Sequence, residues 1–372
     1  MSIPLVDLKA QHAEVAEEVA IGFKRVMENT AFVGGEEVAA FEREYSAFSG
    51  VGHTVGVANG TDAIELALLA AGVKPGDGVI LPANTFIATA GAAARAGARI
   101  VLVDMDPDTY LIDTDAALSA VDGGTKAIVP VHLYGQLAPV ERLREGLAGT
   151  EGIVIMEDGA QSQGATRFGK AAGAGGVSST SFYPGKNLGA YGDAGAVVTD
   201  DEALATTVRT LGNHGGLKKY AHDIIGMNSR LDGLQAVVLR AKLTRLAAWN
   251  AARRAAAARY DALLADVDIV RPATLEGNEH VWHLYVVRVP GDGTPARRDE
   301  VLGKLNAAGI GAGIHYPQPV HLTPAYAGLG YRAGAFPHAE AAANEILSLP
   351  LFPQITVDQQ EAVVAALKAA LA

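Results

Sequence analysis

Lys186 is the residue of this chain whose surroundings best suit a nucleophile. It lies in the glycine-rich segment 181–195, which reads SFYPGKNLGAYGDAG. A lysine in a loop is usually a solvated surface charge, but a lysine in apolar surroundings loses its proton more easily and can react with a carbonyl group. The aromatic neighbours Phe182 and Tyr183, and the lack of another charge before Asp193, favour the reactive interpretation.

A carboxylate stands 28 residues before this lysine. Residues 152–156 (GIVIM) form a continuous apolar run, and Glu157 and Asp158 follow it directly. In an open α/β sheet, ligands bind beyond the carboxyl ends of the strands, so Asp158 is placed to meet a ligand. An aspartate in this position can equally cap a following helix. Asp158 alone therefore leaves both interpretations open.

A turn suited to phosphate binding lies at residues 59–62 (NGTD), before a helix-like segment. Small residues such as Gly60 and Thr61 at the start of a helix present free N–H groups and the positive end of the helix dipole. The same pattern is common in ordinary helix caps. Ser181 adds a hydroxyl near the lysine, and Phe86 offers a flat ring, although an aromatic residue in such a place usually belongs to the core.

Together these residue types describe a site for pyridoxal phosphate (PLP). This cofactor needs a lysine for its aldehyde, a carboxylate for its pyridine nitrogen, a phosphate site and a flat contact for its ring. Four parts of the chain supply these groups. In chain order they are the Gly60–Thr61 turn, Phe86, Asp158 and Lys186, and each lies at the end of a strand-like segment. We therefore predict PLP as the cofactor.

The elements that must position these residues alternate between strand-like and helix-like segments. Continuous apolar runs at 99–103, 126–131 and 152–156 are typical of strands that are buried on both faces. Helix-like segments lie between them, which predicts a parallel α/β sheet with right-handed crossovers. A long helix is predicted from 231 to about 267, and a smaller α+β domain follows it.

The composition narrows the possible functions. The chain has 372 residues, 49% of them hydrophobic, which suggests two domains with real cores. It has no cysteine, so thiol nucleophiles and thiolate metal sites are excluded, and the net charge of −11 argues against nucleic-acid binding. His315 and His321 have no accompanying carboxylate spacing, so we expect no metal site. Without a signal sequence or a membrane-spanning stretch, we expect a soluble cytoplasmic protein with no membrane partner.

Ordered motifs run along essentially the whole chain: VANGTDAIELAL (57–68), LPANTFIATA (81–90), EDGAQSQGA (157–165), SFYPGKNLGAYGDAGAVVT (181–199), GMNSRLDGLQAVVL (226–239), WHLYVVR (282–288) and GIHYPQPVHLTPAY (313–326). This series resembles the nucleotide-sugar aminotransferases of the DegT/DnrJ/EryC1/StrS family, which have the aspartate-aminotransferase-like fold type I. The resemblance implies a large PLP-binding domain over 1–235, with an N-terminal arm and a mostly parallel mixed sheet between helices. It also implies a connecting helix and a small C-terminal α+β domain over 236–372.

The resemblance also implies a role for each site residue. Lys186 would bind the aldehyde of PLP and move protons between cofactor and substrate carbons, and Asp158 would pair with the pyridine nitrogen. Gln161 would bond near the phenolic oxygen, and Asn228 would reach the phosphate of the neighbouring subunit in a homodimer with shared active sites. The remaining implied contacts are with the phosphate (Gly60, Thr61 and Ser181), the ring (Phe86) and the sugar (Tyr183, His315 and Tyr316).

The lysine also bears on the reaction, because family members with histidine at this position are dehydratases. By resemblance, the protein is an aminotransferase that moves the amino group of L-glutamate to C3 of a thymidine-diphosphate (dTDP) 3-keto-6-deoxyhexose. Members that act at C4 of uridine-diphosphate sugars more often have histidine in place of Tyr183 and an acidic residue in place of Ala194, and C4 amination stays the alternative.

A dinucleotide-dependent dehydrogenase would need G-x-G-x-x-G after the first strand, which 57–64 lacks. The non-catalytic alternative is a PLP-binding sensor or regulatory protein, which we expect to need an added DNA-binding domain.

Overall fold

The structure is a computed structural model that describes residues 2–372. The α-helices are α1 (Leu8–Ala13), α2 (Ala16–Glu28), α3 (Gly35–Ser49), α4 (Gly60–Ala70), α5 (Ile87–Arg95), α6 (Thr114–Ser119), α7 (Val140–Gly146), α8 (Glu202–Gly212), α9 (Gly233–Leu263), α10 (Ala296–Ala307), α11 (Pro337–Glu345) and α12 (Val357–Leu371). The strands are β1 (His53–Val57), β2 (Gly78–Pro82), β3 (Arg99–Val103), β4 (Thr125–Ile128), β5 (Val154–Asp158), β6 (Thr166–Arg167), β7 (Val177–Ser181), β8 (Gly195–Thr199), β9 (Asn278–Glu279), β10 (Tyr285–Arg288) and β11 (Ile346–Leu349).

Seven strands form the central sheet, in the order β1-β8-β7-β5-β4-β2-β3. Neighbouring strands are parallel except at β8, which runs antiparallel to both β1 and β7. The predicted α/β fold with a mostly parallel mixed sheet is therefore confirmed. The wholly parallel sheet that the alternation of segments predicts is wrong at β8. Antiparallel neighbours need no crossover helix, so the segment between β7 and β8 is free to serve as a loop of the site.

Helix α4 shows why the start of a helix can be held firmly at the sheet edge. Its side chains Ile64 and Leu68 lie on one face of the helix and Leu66 lies on the opposite face, yet all three are buried. A helix that is apolar all round is packed between other layers rather than lying on the surface. This packing fixes the position of its first residue, Gly60, relative to the strands.

The long helix α9 joins two hydrophobic cores. In its first half, Leu239 and Leu246 pack in a cluster with Phe182, which follows β7. Near its end, Tyr260 packs with residues of β10, β11 and α12, such as Leu349. The helix lies within the range predicted for it and ends at Leu263. A division of the chain at residue 235 stays a prediction.

The N-terminal segment packs against the C-terminal part of the chain. The N–H of Ile3 donates to the Gly309 carbonyl at 2.9 Å, and Gly311 donates back to the Ile3 carbonyl at 2.8 Å. This pairing brings Leu5 and Val6 to the wall of the cavity described below. Within residues 2–372, no helix combines the length and the apolar character that crossing a membrane requires.

Candidate functional site

A cavity of about 720 Å³ opens at the carboxyl end of β5 and beside the start of α4. Its volume is typical of small-molecule sites. Every residue predicted for the site except Asn228 forms part of its wall: Gly60, Thr61, Phe86, Asp158, Gln161, Ser181, Tyr183, Lys186, His315 and Tyr316. The structure thus brings together residues that are up to 256 positions apart in the chain.

Lys186 lies in a tight turn between β7 and β8, where its N–H donates to the Tyr183 carbonyl at 2.8 Å. Burial lowers the pKa of Lys186 to about 8, and the nearby Asp158 carboxylate opposes this shift. The solvated-lysine interpretation is therefore wrong. The aromatic surroundings differ in part from the prediction: Tyr183 lines the cavity, but Phe182 is fully buried in the core against Phe41.

The lowered pKa of Lys186 predicts when its amine becomes reactive. With a pKa of about 8, about one tenth of the side chains are neutral at pH 7, against about one in three thousand for an ordinary lysine. The rate at which PLP-free protein binds PLP covalently should therefore rise with pH to a plateau, with a midpoint near 8. Stopped-flow absorbance at a series of pH values measures this midpoint.

The Asp158→Asn variant provides the control for this titration. Because the Asp158 carboxylate favours the charged form of Lys186, its removal should move the midpoint below that of the unchanged protein. A midpoint near 10.5 in the unchanged protein would show that Lys186 is solvated.

Asp158 is the last residue of β5 and is fixed on both sides through its backbone. Its N–H donates to the Pro130 carbonyl and its carbonyl accepts from the His132 N–H, both at 2.9 Å. Its carboxylate accepts from the Ala160 N–H at 3.1 Å and from the Thr89 hydroxyl at 2.7 Å. In the described chain, no α-helix begins between Asp158 and β7, so the helix-cap interpretation is wrong. The strand extends two residues further than the apolar run because Glu157 and Asp158 continue the pairing with β7.

The start of α4 forms an anion site beside Ser181. The Asp62 N–H donates to the side chain of Asn59 at 2.8 Å, and the first intrahelical bond is that of Ala63. The N–H groups of Gly60 and Thr61 therefore have no partner within the helix and are free for a ligand. Only glycine fits at position 60, because a Cβ atom there would lie 2.5 Å from the Ser181 Cβ.

A flat contact for a ring comes from Phe86, which is 48% exposed and lies in the cavity wall. The interpretation of Phe86 as a core residue is therefore wrong. Its ring packs against Tyr316, with ring centres 5.0 Å apart. The Tyr316 hydroxyl accepts from the Gln161 amide at 3.0 Å, and the Gln161 carbonyl accepts from the Tyr134 N–H at 2.7 Å. These two bonds fix the orientation of the Gln161 amide.

The predicted sugar contacts have two different environments. Tyr183 is 59% exposed, so its ring is open to a ligand that extends out of the cavity. His315 is bonded through its Nδ1 to the Ser348 hydroxyl at 2.8 Å. Burial, together with the nearby Lys186, lowers the pKa of His315 to about 4. His315 is therefore a neutral side chain near pH 7.

Asn228 lies outside the cavity. It is exposed and pairs through its backbone with Asn213. A single chain thus does not use Asn228 for its own site, and the role in a neighbouring subunit stays a prediction.

The structure adds site residues that the sequence interpretation missed. Asn187 donates to Asn250 and to the Val281 carbonyl, both at 3.0 Å, so its carbonyl oxygen must accept from Nδ1 of His283 at 3.1 Å. Burial, with a smaller contribution from the nearby Lys186, keeps the pKa of His283 well below its usual value. Asn187 therefore ties the lysine turn to a neutral histidine of the cavity wall. Both residues lie in motifs quoted above, and this was the signal that could have found them. Their separation of 96 positions in the chain hides the contact between them.

The donor set of the cavity fits PLP. The buried amine of Lys186 suits an aldehyde, the Asp158 carboxylate suits a protonated ring nitrogen, and the free N–H groups of Gly60 and Thr61 suit a phosphate. The exposed face of Phe86 suits an aromatic ring. The geometry therefore agrees with the cofactor that the residue types predict.

Comparison with known proteins gives a match over nearly the whole chain. The model of the DegT/DnrJ/EryC1/StrS aminotransferase family matches residues 13–368. A dTDP-3-amino-3,4,6-trideoxy-alpha-D-glucose transaminase of Streptomyces venezuelae is 44% identical, over 98% of this chain and 95% of its own length. A "pleiotropic regulatory protein" of Geobacillus stearothermophilus is 45% identical, over 98% of this chain and 97% of its own.

A solved structure agrees equally well. The crystal structure of S. venezuelae DesV in complex with a ketimine intermediate superposes with a TM-score of 0.95 and 42% identity, covering 99% of this chain and 98% of that one. These matches confirm the fold, the aminotransferase class and PLP as the cofactor. The protein is a PLP-dependent aminotransferase, and its chain belongs to the DegT/DnrJ/EryC1/StrS aminotransferase family.

Proposed function

We propose that the protein transfers the amino group of L-glutamate to C3 of a dTDP-linked 3-keto-6-deoxyhexose, in deoxyamino-sugar biosynthesis in the cytoplasm. The observation that carries the proposal is the cavity in which Lys186, Asp158 and the start of α4 come together. The choice of C3 and of the nucleotide is supported by the name of the S. venezuelae transaminase, which is 44% identical.

PLP, when bound, supplies the electron sink that lets an amino group leave one carbon skeleton and join another. With PLP bound, the Lys186 amine would take and return the proton of the amino donor's carbon, and its pKa of about 8 suits proton transfer near neutrality. Asp158 would hold the proton at the pyridine nitrogen. The N–H groups of Gly60 and Thr61, with the hydroxyl of Ser181, would bind the phosphate and so orient the ring.

The keto sugar would lie between Tyr183, His315 and Tyr316. The neutral His315 offers a hydrogen bond to a sugar oxygen without adding a charge to the site. Tyr183 lies exposed beside the lysine turn, where it can contact the part of the substrate that extends from the cavity. We infer that these three residues orient the sugar carbon that receives the amine.

A homodimer with shared sites is the second part of the proposal. The segment before Asn228 exposes large apolar side chains, among them Tyr220 and Ile225, which are 85% and 97% exposed. Exposed apolar patches of this kind are typical of protein interfaces. Asn228 would then be donated to the phosphate site of the neighbouring subunit.

Mixed dimers test the role of Asn228. A Lys186→Ala chain and an Asn228→Ala chain should each be impaired alone, the latter by roughly tenfold in PLP affinity from one lost hydrogen bond to a charged group. If Asn228 acts on the neighbour's site, dimers of the two variants contain one fully wild-type site and regain up to half of the activity. If Asn228 acts on its own chain, mixing restores nothing. A fully active monomer in light scattering would also contradict the shared site.

The substrate assignment is tested with purified protein, L-glutamate and a panel of dTDP- and UDP-linked 3-keto and 4-keto sugars. The proposal expects 2-oxoglutarate release with a dTDP-linked 3-keto sugar in preference to the others, measured by a coupled assay and product mass spectrometry. Preference for a 4-keto sugar supports C4 amination instead. Absence of 2-oxoglutarate release with every sugar of the panel would contradict the proposed substrate class.

A further inference from the structure

Two buried threonine hydroxyls stand in a line behind Asp158. The Thr89 hydroxyl lies 2.7 Å from the carboxylate oxygen Oδ2 of Asp158, and the Thr85 hydroxyl lies 2.7 Å from that of Thr89. All three side chains are at most 3% exposed. Thr85 and Thr89 also lie in the cavity wall, and neither has a role in the site as proposed above.

The directions of these hydrogen bonds follow from the chemistry of the groups. An ionised carboxylate only accepts hydrogen bonds, so the hydroxyl of Thr89 must donate to Asp158. The single proton of Thr89 is then used, and Thr85 must donate its own proton to the Thr89 oxygen. The chain Thr85–Thr89–Asp158 is therefore oriented, and each donor strengthens the next.

An ordinary capping role does not explain these threonines. A threonine just before a helix commonly caps it with its hydroxyl. The residue at the cap position of α5 is Phe86, and no side chain caps this helix end. Thr85 and Thr89 lie one turn apart, so that the Thr85 hydroxyl meets that of Thr89, which in turn meets the carboxylate. The helix start is thus used to orient Asp158.

We propose that Thr89, oriented by Thr85, is a positioning residue that fixes the Asp158 carboxylate towards the pyridine nitrogen of PLP. This inference rests on the proposed function. One carboxylate oxygen is held by Thr89 and the other by the Ala160 N–H, so the plane of the carboxylate is set from both sides.

Lys186 is a second group that interacts with the Asp158 carboxylate, since Asp158 favours its charged form. The bonds from the Thr89 hydroxyl and the Ala160 N–H hold the carboxylate in one orientation whichever form Lys186 takes.

The Thr89→Val variant removes the hydroxyl and retains the shape of the side chain. Protein loaded with PLP that carries ¹⁵N in the ring reports the protonation of that nitrogen directly by NMR. We expect the ¹⁵N shift to move towards that of the unprotonated ring, and PLP to bind roughly tenfold more weakly, since a hydrogen bond to a charged group is lost. Thr89→Ser should restore both values, and Thr85→Val should change them in the same direction but less.

Thr54→Val is the matched control, because Thr54 is also a buried threonine, bonded to the Ser46 hydroxyl at 2.8 Å but outside the cavity wall. It should leave the ¹⁵N shift unchanged. Unchanged shift and PLP affinity in Thr89→Val would overturn the proposal. If Thr89→Val does not fold, Thr85→Val decides in the same way.

Borohydride trapping distinguishes this inference from the proposed function. Thr89→Val should still be trapped with PLP at Lys186, because the hydroxyl does not contact the amine. Absence of trapping in the unchanged protein would contradict the proposed function itself. Trapping with an unmoved ¹⁵N shift would contradict only the role of Thr89.

Discussion

Replacing Lys186 with alanine is expected to abolish transamination, with kcat reduced by at least about 10⁴-fold. The variant loses both the amine that binds the aldehyde and the group that moves the proton, and no other lysine lies in the cavity wall described here. Release of 2-oxoglutarate measures the loss of activity, and loss of the visible absorbance of the lysine-bound cofactor measures the loss of attachment.

Lys242 provides an internal control for this experiment. Burial lowers its pKa to about 8, as for Lys186, but its amine donates to the Gly189 carbonyl at 2.7 Å and lies outside the cavity wall. If a lowered pKa were sufficient for a lysine to bind PLP covalently, PLP would also be trapped on Lys242. Peptide mapping after borohydride treatment should find the label on Lys186. Full activity of Lys186→Ala, or a label on Lys242, would contradict the assignment.

The Asp158→Asn variant is expected to lower kcat by roughly 10³-fold, similar to the loss of one well-placed electrostatic group in other enzymes. Asparagine retains the shape of the side chain but cannot stabilise a proton on the ring nitrogen. The fold should be retained, since the backbone bonds of Asp158 to Pro130 and His132 do not involve its side chain. Single-turnover absorbance with L-glutamate measures the chemical step apart from sugar binding.

Glu157→Gln is the matched control for Asp158→Asn. Glu157 precedes Asp158 in the same strand, so its side chain points to the opposite face of the sheet. There it bonds to His132 at 2.9 Å, outside the cavity wall. The Glu157→Gln variant should lower the melting temperature of the protein and leave its kcat largely unchanged. An equal loss of activity in the two variants would show that Asp158 acts only through the stability of the strand.

The site residues that the sequence predicts lie at the ends of strands. The direction of each strand decides which edge of the sheet such a residue reaches. Asp158 ends β5, Lys186 follows the neighbouring strand β7, and Gly60 begins the helix after β1, so the order of the sheet brings them to one edge. Their residue types then indicate the chemistry of the site. The order of strands and turns decides which edge of the sheet these residues reach, which explains why a pattern of apolar runs and turns could find them.

Other parts of the site depend on packing that a single sequence does not reveal. The Thr89 hydroxyl reaches Asp158 only because the start of α5 lies beside the end of β5, although the two residues are 69 positions apart in the chain. Phe182 and Tyr183 are adjacent aromatic residues, yet one is buried in the core and the other exposed, because β-like backbone alternates its side chains between two faces. The reversed strand β8 has an apolar sequence that fits either direction.

A labelled amino group shows whether the protein transfers nitrogen from L-glutamate to C3 of the sugar. Purified protein with PLP, [¹⁵N]L-glutamate and a dTDP-linked 3-keto-6-deoxyhexose should give one 2-oxoglutarate for each amino sugar, with ¹⁵N bonded to C3 of the sugar by NMR. The same label remaining in glutamate, although PLP is attached to Lys186, would contradict the account.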